Sequence, residues 1–134
     1  MERTLAIIKP DAVAAGHTEA IIQQIKDHGF SIVKSMKTQL TRNEAEGFYA
    51  EHNGRGFFAE LVDFMISGDV VVMVLEKEGA IKAWRDLMGA TDPLLADEGT
   101  IRKLFGTSKG NNASHGSDSE ASAAREIAYF FPNL

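Results

Sequence analysis

The chain contains no cysteine. Disulfides, thiolate nucleophiles and cysteine–zinc sites are therefore excluded, and nothing in cysteine usage argues against a reducing compartment. Long apolar runs are missing as well: no stretch approaches the ~20 residues a bilayer-spanning helix needs. The opening M-E-R-T-L-A-I-I-K-P-D lacks the basic segment, apolar core and small-residue cleavage site of a secretory signal. A cytoplasmic protein without membrane association is expected. Excess positive charge is also lacking, with 14 Lys and Arg against 19 Asp and Glu and a net charge of −5. Specific nucleic-acid binding is not expected, because a basic face supplies most of that affinity. A small local cluster of cations for a phosphorylated ligand remains compatible with this balance. Neither G-x-x-x-x-G-K-[ST] nor G-x-G-x-x-G occurs, so any nucleotide must be held by another geometry.

What is present suits one globular domain spanning residues 1–134, with 44% hydrophobic and 25% charged residues and enough length to bury a core. Leu5 to Ile8 reads as a buried strand ended by Pro10. Thr18 to His28 reads as a helix with Ile21, Ile22 and Ile25 on one face and Gly29 as its stop. Phe30 to about Leu40 predicts a strand showing Phe30, Ile32, Met36 and Leu40 on one face. Thr41 to Glu44 is a capping box, followed by a stripe of Ala45, Phe48, Tyr49 and His52. A helix over Phe57–Ser67 would turn Phe57, Phe58, Leu61, Val62 and Met65 inward. The run V-V-V-M-V-L from Val70 to Leu75 is the best central strand. Ala80 to Met88 predicts another helix.

Residues 89–112 are irregular apart from a helical turn near Thr100–Phe105, and loops this long are usually functional or disordered. A short strand is expected around Ala113–His115. Ser117-Asp118-Ser119-Glu120 reads as a second capping box, with Ser117 as N-cap and Ala121, Ala124, Ile127, Ala128 and Phe131 at helical spacing. The order predicts an α+β, ferredoxin-like βαββαβ fold: a four-stranded antiparallel sheet with helices on one face and a long loop before His115.

His115 is the candidate reactive residue. Gly116 removes a side chain beside the imidazole, so a substrate could come close. The helix start behind it offers amides and a dipole end suited to phosphate. Glu126 lies on that helix; a carboxylate taking one ring hydrogen would fix the tautomer and leave the other nitrogen nucleophilic. Taken alone, His115 reads more readily as a bystander in a turn and Glu126 as an ordinary solvated residue.

The stretch N-A-S-H-G-S-D-S resembles the signature N-x-x-H-G-S-D of nucleoside diphosphate kinases. R-T-L-A-I-I-K-P-D, F-Y-A-E-H with R-G-F-F, F-M-I-S-G-D-V-V-V-M-V-L-E, M-G-A-T-D-P and G-T-I-R follow in that family's order, covering essentially the whole chain. The resemblance implies transfer of a γ-phosphoryl group from a nucleoside triphosphate (ATP, GTP and others) to a nucleoside diphosphate. The mechanism implied is ping-pong, through a phosphohistidine at His115. It implies that Glu126 orients the ring with Ser117 beside the pair, and that Lys9 and Tyr49 lie close to the γ-phosphate and the histidine. Asn112 matches a ribose contact, and Arg85, Thr91 and Arg102 match a phosphate clamp with His52 nearby. Phe57 matches the base-stacking aromatic with Leu61 beside it. Mg²⁺ would be bound mainly through the nucleotide phosphates, with no direct protein ligand; Asp118 would reach it through water. A homo-oligomer, tetramer or hexamer built from dimers, is implied as well.

Glu19, Gly56, Leu104 and Lys109 depart from the family's usual residues, and the chain lacks the longer tail of many relatives. Two rivals are a nucleotide-binding module without turnover and a single-stranded RNA binder of similar topology. The second is disfavoured by the acidic charge and by the lack of aromatics in Leu5–Ile8 and Val70–Leu75.

Overall fold

The computed structural model describes residues 1–50, 53–107 and 112–134. The elements in chain order are β1 (Glu2–Ile8), α1 (Pro10–Ala14), α2 (Thr18–Asp27), β2 (Ser31–Thr38), α3 (Arg42–Phe48), α4 (Phe58–Met65), β3 (Val70–Lys77), α5 (Ala80–Met88), a 3-10 turn (Pro93–Leu95), α6 (Ile101–Phe105), β4 (Ser114–Gly116) and α7 (Glu120–Phe130). The strands form one antiparallel sheet in the order β2-β3-β1-β4.

β1 and β3 are central because both of their faces are apolar. Ala6, Ile8, Val71, Met73 and Leu75 face one core with Ile21, Ile25 and Trp84. Leu5, Ile7, Val70, Val72 and Val74 face another with Phe48, Val62 and Met65. Complete burial of one such side chain contributes about 1.5–3 kcal/mol, so a strand apolar on both sides needs cover on both. The expectation of helices on one face is thus corrected. α2 and α5 cover one side, while α3, α4 and α7 cover the other.

β2 differs from its predicted pattern for a local reason. A bulge between Ile32 and Lys34 inserts an unpaired residue, and one inserted residue exchanges the faces of everything beyond it. Phe30 and Ile32 therefore pack in the first core, and Val33, Met36 and Leu40 in the second. α1 was not expected. Pro10 occupies its first turn and Asp11 supplies the acidic residue there, the pairing that favours helix initiation.

Candidate active site

The buried polar and charged residues among those described are Thr4, Lys9, Asn112, Ser114, Ser117 and Glu126. All but Thr4 gather around residues 112–117, where β4 meets β1 and α7. Burial of such groups is costly unless they are hydrogen-bonded, and most of these are.

β4 pairs Ile7 with His115 and Ile8 with Ser114. Paired residues in an antiparallel ladder point to the same face, so His115 stands on the α3/α7 side with Ile7. Its Nε2 lies 3.0 Å from Glu126 Oε1. The Ser117 hydroxyl donates to the same oxygen at 2.9 Å and accepts from the Leu5 amide at 3.3 Å. With a carboxylate on Nε2, the ring hydrogen sits there and Nδ1 keeps its lone pair. The ring edge meets Phe48 at 5.2 Å and Tyr49 at 6.2 Å between centroids, both nearly perpendicular. The imidazole is 19% exposed, so it is supported from behind yet open in front.

Lys9 caps the start of α1 and is 8% exposed. Its Nζ donates to Asn112 Oδ1 at 2.9 Å, and Asn112 Nδ2 donates to the Thr91 carbonyl at 3.0 Å. Burial, helped by the nearby Arg102 charge and opposed by Asp11, lowers the Lys9 pKa to about 8. Arg102 donates to the Gly89 carbonyl at 3.1 Å and the Ser114 carbonyl at 2.9 Å; burial first, then Arg85, lowers it to about 10. Burial, with Glu126 adding to it, pushes the Tyr49 phenol well above its ordinary range. The Ser122 hydroxyl chiefly, with help from Arg85, holds the Asp118 carboxyl below the usual value. Arg85, Thr91, Arg102 and Asp118 line one cleft of about 430 Å³ beside α5.

Most of the expected residues are thus brought together: His115, Glu126 and Ser117 as a hydrogen-bonded trio, Lys9 with Asn112, and Arg85, Thr91, Arg102 and Asp118 around the cleft. Phe57 and Leu61 do not line that cleft. Phe57 is corrected from inward to 46% exposed, because it precedes α4 rather than lying within it. His52 and Lys109 lie outside the described residues.

Two expectations near His115 are corrected. Ser117 is not the N-cap of α7; Ser119 is, accepting from the Ser122 amide at 3.1 Å. Ser117 is already engaged with β1 and Glu126, so the helix starts two residues later. The start shifts the inward face of α7 to Ala123, Glu126, Ile127 and Phe130, leaving Ala121, Ala124 and Ala128 exposed. Gly116, for its part, makes room for protein rather than substrate. A Cβ there would meet Met88 Cε at 2.6 Å and the Trp84 indole, whose Nε1 donates to the His115 carbonyl at 3.1 Å.

Sequence reasoning also missed the strain in front of the histidine. Ala113 has φ 75°, and the Ser114 amide donates to the Asn112 carbonyl at 2.9 Å, closing a γ-turn. A non-glycine residue held this way costs about 1–3 kcal/mol and tends to mark functional sites. No composition signal announces it.

Comparisons with known proteins bear on the family and the fold. The family model described as nucleoside diphosphate kinase matches residues 2–134. The nucleoside diphosphate kinase of Syntrophotalea carbinolica is 57% identical over 134 residues, covering 100% of this chain and 98% of that protein. The one from Sorangium cellulosum is 56% identical over 131 residues, covering 98% of this chain and 91% of that one. Among solved structures, the Aquifex aeolicus nucleoside diphosphate kinase superposes with a TM-score of 0.97 at 46% identity, over 99% of this chain and 96% of that one. A halophilic nucleoside diphosphate kinase from Halobacterium salinarum, in complex with CDP, has a TM-score of 0.95 at 40% identity, over 98% of this chain and 88% of that one. The chain belongs to the nucleoside diphosphate kinase family. It is a phosphotransferase that passes a γ-phosphoryl group from a nucleoside triphosphate to a nucleoside diphosphate through a phosphohistidine.

Proposed function

We propose that His115 is the residue that carries the phosphoryl group, within a single catalytic domain formed by residues 1–134. The observation that carries this is the His115–Glu126–Ser117 arrangement: one ring nitrogen occupied by a buried carboxylate, the other left as nucleophile. The Nδ1 lone pair attacks the γ-phosphorus. The bond from that phosphorus to the β–γ bridging oxygen breaks, and its electron pair leaves with the diphosphate. The ring becomes positive, and Glu126 stabilises that charge through Nε2–H. A second diphosphate then enters, its terminal oxygen attacks the phosphohistidine, and the neutral imidazole is restored.

Lys9, Arg85 and Arg102 supply positive charge for the polyphosphate, with Thr91 beside them. Preorganised charge and positioning are most of what phosphoryl transfer needs. Asn112 and Lys9 serve the sugar, and Tyr49 stands close to the γ-phosphate and to the His115 ring. The exposed Phe57 ring serves as a base-stacking surface with Leu61. Stacking contributes about 1–3 kcal/mol and accepts any base. His52 is proposed as a further phosphate neighbour on the strength of the sequence resemblance.

Among the described residues no group of three or more His, Asp or Glu side chains could hold a metal ion. Mg²⁺ is proposed to be carried by the nucleotide phosphates, with Asp118 reaching it through water. Bound there, the ion would neutralise charge on the phosphoryl oxygens. The proposed setting is cytoplasmic, as a homo-oligomer built from dimers, tetramer or hexamer; no helix among the described residues is long and apolar enough to cross a membrane. Substituting His115→Ala is expected to abolish turnover while nucleotide binding, read by calorimetry, persists. Retained turnover in that variant would refute the assignment.

A further inference from the structure

We propose that Asp11 is a positioning residue for His115: its carboxylate fixes the γ-turn at Ala113 that sets where β4 begins. The inference rests on the phosphohistidine reading above.

Ala113 is fully buried with a positive φ, so its conformation must be imposed by neighbours. Both of its backbone groups are held by one turn of α1. The Ala113 amide donates to Asp11 Oδ2 at 3.2 Å, and its carbonyl accepts from the Lys9 amide at 2.8 Å. Two residues later stands His115. Lys9 and Asp11 therefore grip the segment at its most strained point, and the imidazole's position follows from that grip.

The second Asp11 oxygen, Oδ1, is buried and has no hydrogen-bond partner among the described residues. Oδ2 is therefore the oxygen through which Asp11 acts on the turn.

Asparagine can keep the bond to Ala113 and lose the charge; alanine loses both. The test is single-turnover phosphorylation of the whole enzyme by ATP, with nucleotide affinity measured in parallel and the label mapped to its residue. Asp11→Ala is expected to slow phosphorylation of His115 by about 10–100-fold, with affinity changed little. Asp11→Asn, which keeps an acceptor for the Ala113 amide, is expected to restore most of the rate. Wild-type rates in Asp11→Ala, or an Asp11→Asn as slow as Asp11→Ala, would overturn the proposal. Should Asp11→Ala not fold, Asp11→Leu, which also removes the acceptor, takes its place in the same comparison. A wild-type enzyme carrying no label on His115 would instead defeat the phosphohistidine reading.

Discussion

Glu126 divides its two oxygens between different tasks. Oε1 serves His115 and Ser117, while Oε2 lies 3.8 Å from Arg125. Only one oxygen therefore contacts the ring, and replacing the carboxylate by an amide removes the charge proposed to stabilise the imidazolium. Glu126→Gln is expected to slow phosphorylation of His115 by about 100-fold with nucleotide affinity nearly unchanged; stopped-flow or quench-flow turnover against titration calorimetry separates the two. Lys9 carries a second prediction. Its native pKa of about 8 lies below the ordinary 10.5. Between those values the unfolded chain holds a proton that the native state lacks, so this group's contribution to stability rises with pH across that window. A bound polyphosphate reverses the effect by adding negative charge beside the ammonium. Nucleotide binding above pH 8 is therefore expected to take up protons, read as a binding enthalpy that varies with the buffer's ionisation enthalpy. Binding without uptake would place Lys9 away from the phosphates.

Among the elements, α7 shows how a few hydroxyls share out work that a sequence pattern cannot apportion. Ser117 and Ser119 both suit an N-cap, and nothing local chooses between them. Long-range contacts choose: Leu5 and Glu126 take Ser117, so the cap passes to Ser119. Ser119→Ala should cost about 1 kcal/mol, seen as a melting temperature lowered by a few degrees, with turnover preserved. Ser117→Ala should lower turnover well beyond any loss of stability. The reverse pattern would restore Ser117 as the cap. The same logic explains what was readable beforehand. α5, the Thr41 capping box and the central run of β3 are set by local chemistry and emerged as expected. The bulge in β2, the register of α7 and the strain at Ala113 depend on partners distant in sequence and could not be read from spacing.

For the molecule as a whole, covering both faces of the sheet brings the site together. α3 and α7 on one side deliver Phe48, Tyr49 and Glu126 to His115, while α5 on the other delivers Trp84 beneath Gly116 and Arg85 to the cleft. The proposed site residues are legible through the family's motif order rather than through periodicity, which alone would leave His115 a bystander and Arg85 and Arg102 surface cations. On the proposal that Mg²⁺ arrives with the nucleotide phosphates, chelation of the ion should abolish turnover without shifting the melting temperature of the nucleotide-free protein. A chelator that destabilised the free protein would point to a structural ion instead. The central claim, that one imidazole stores the phosphoryl group between two substrates, is tested by exposing the protein to γ-labelled ATP without acceptor and mapping the label by mass spectrometry. An acid-labile, alkali-stable phosphoryl group on His115, released to added nucleoside diphosphate, is the expected result. A label on another residue, or one that added diphosphate cannot remove, would contradict it.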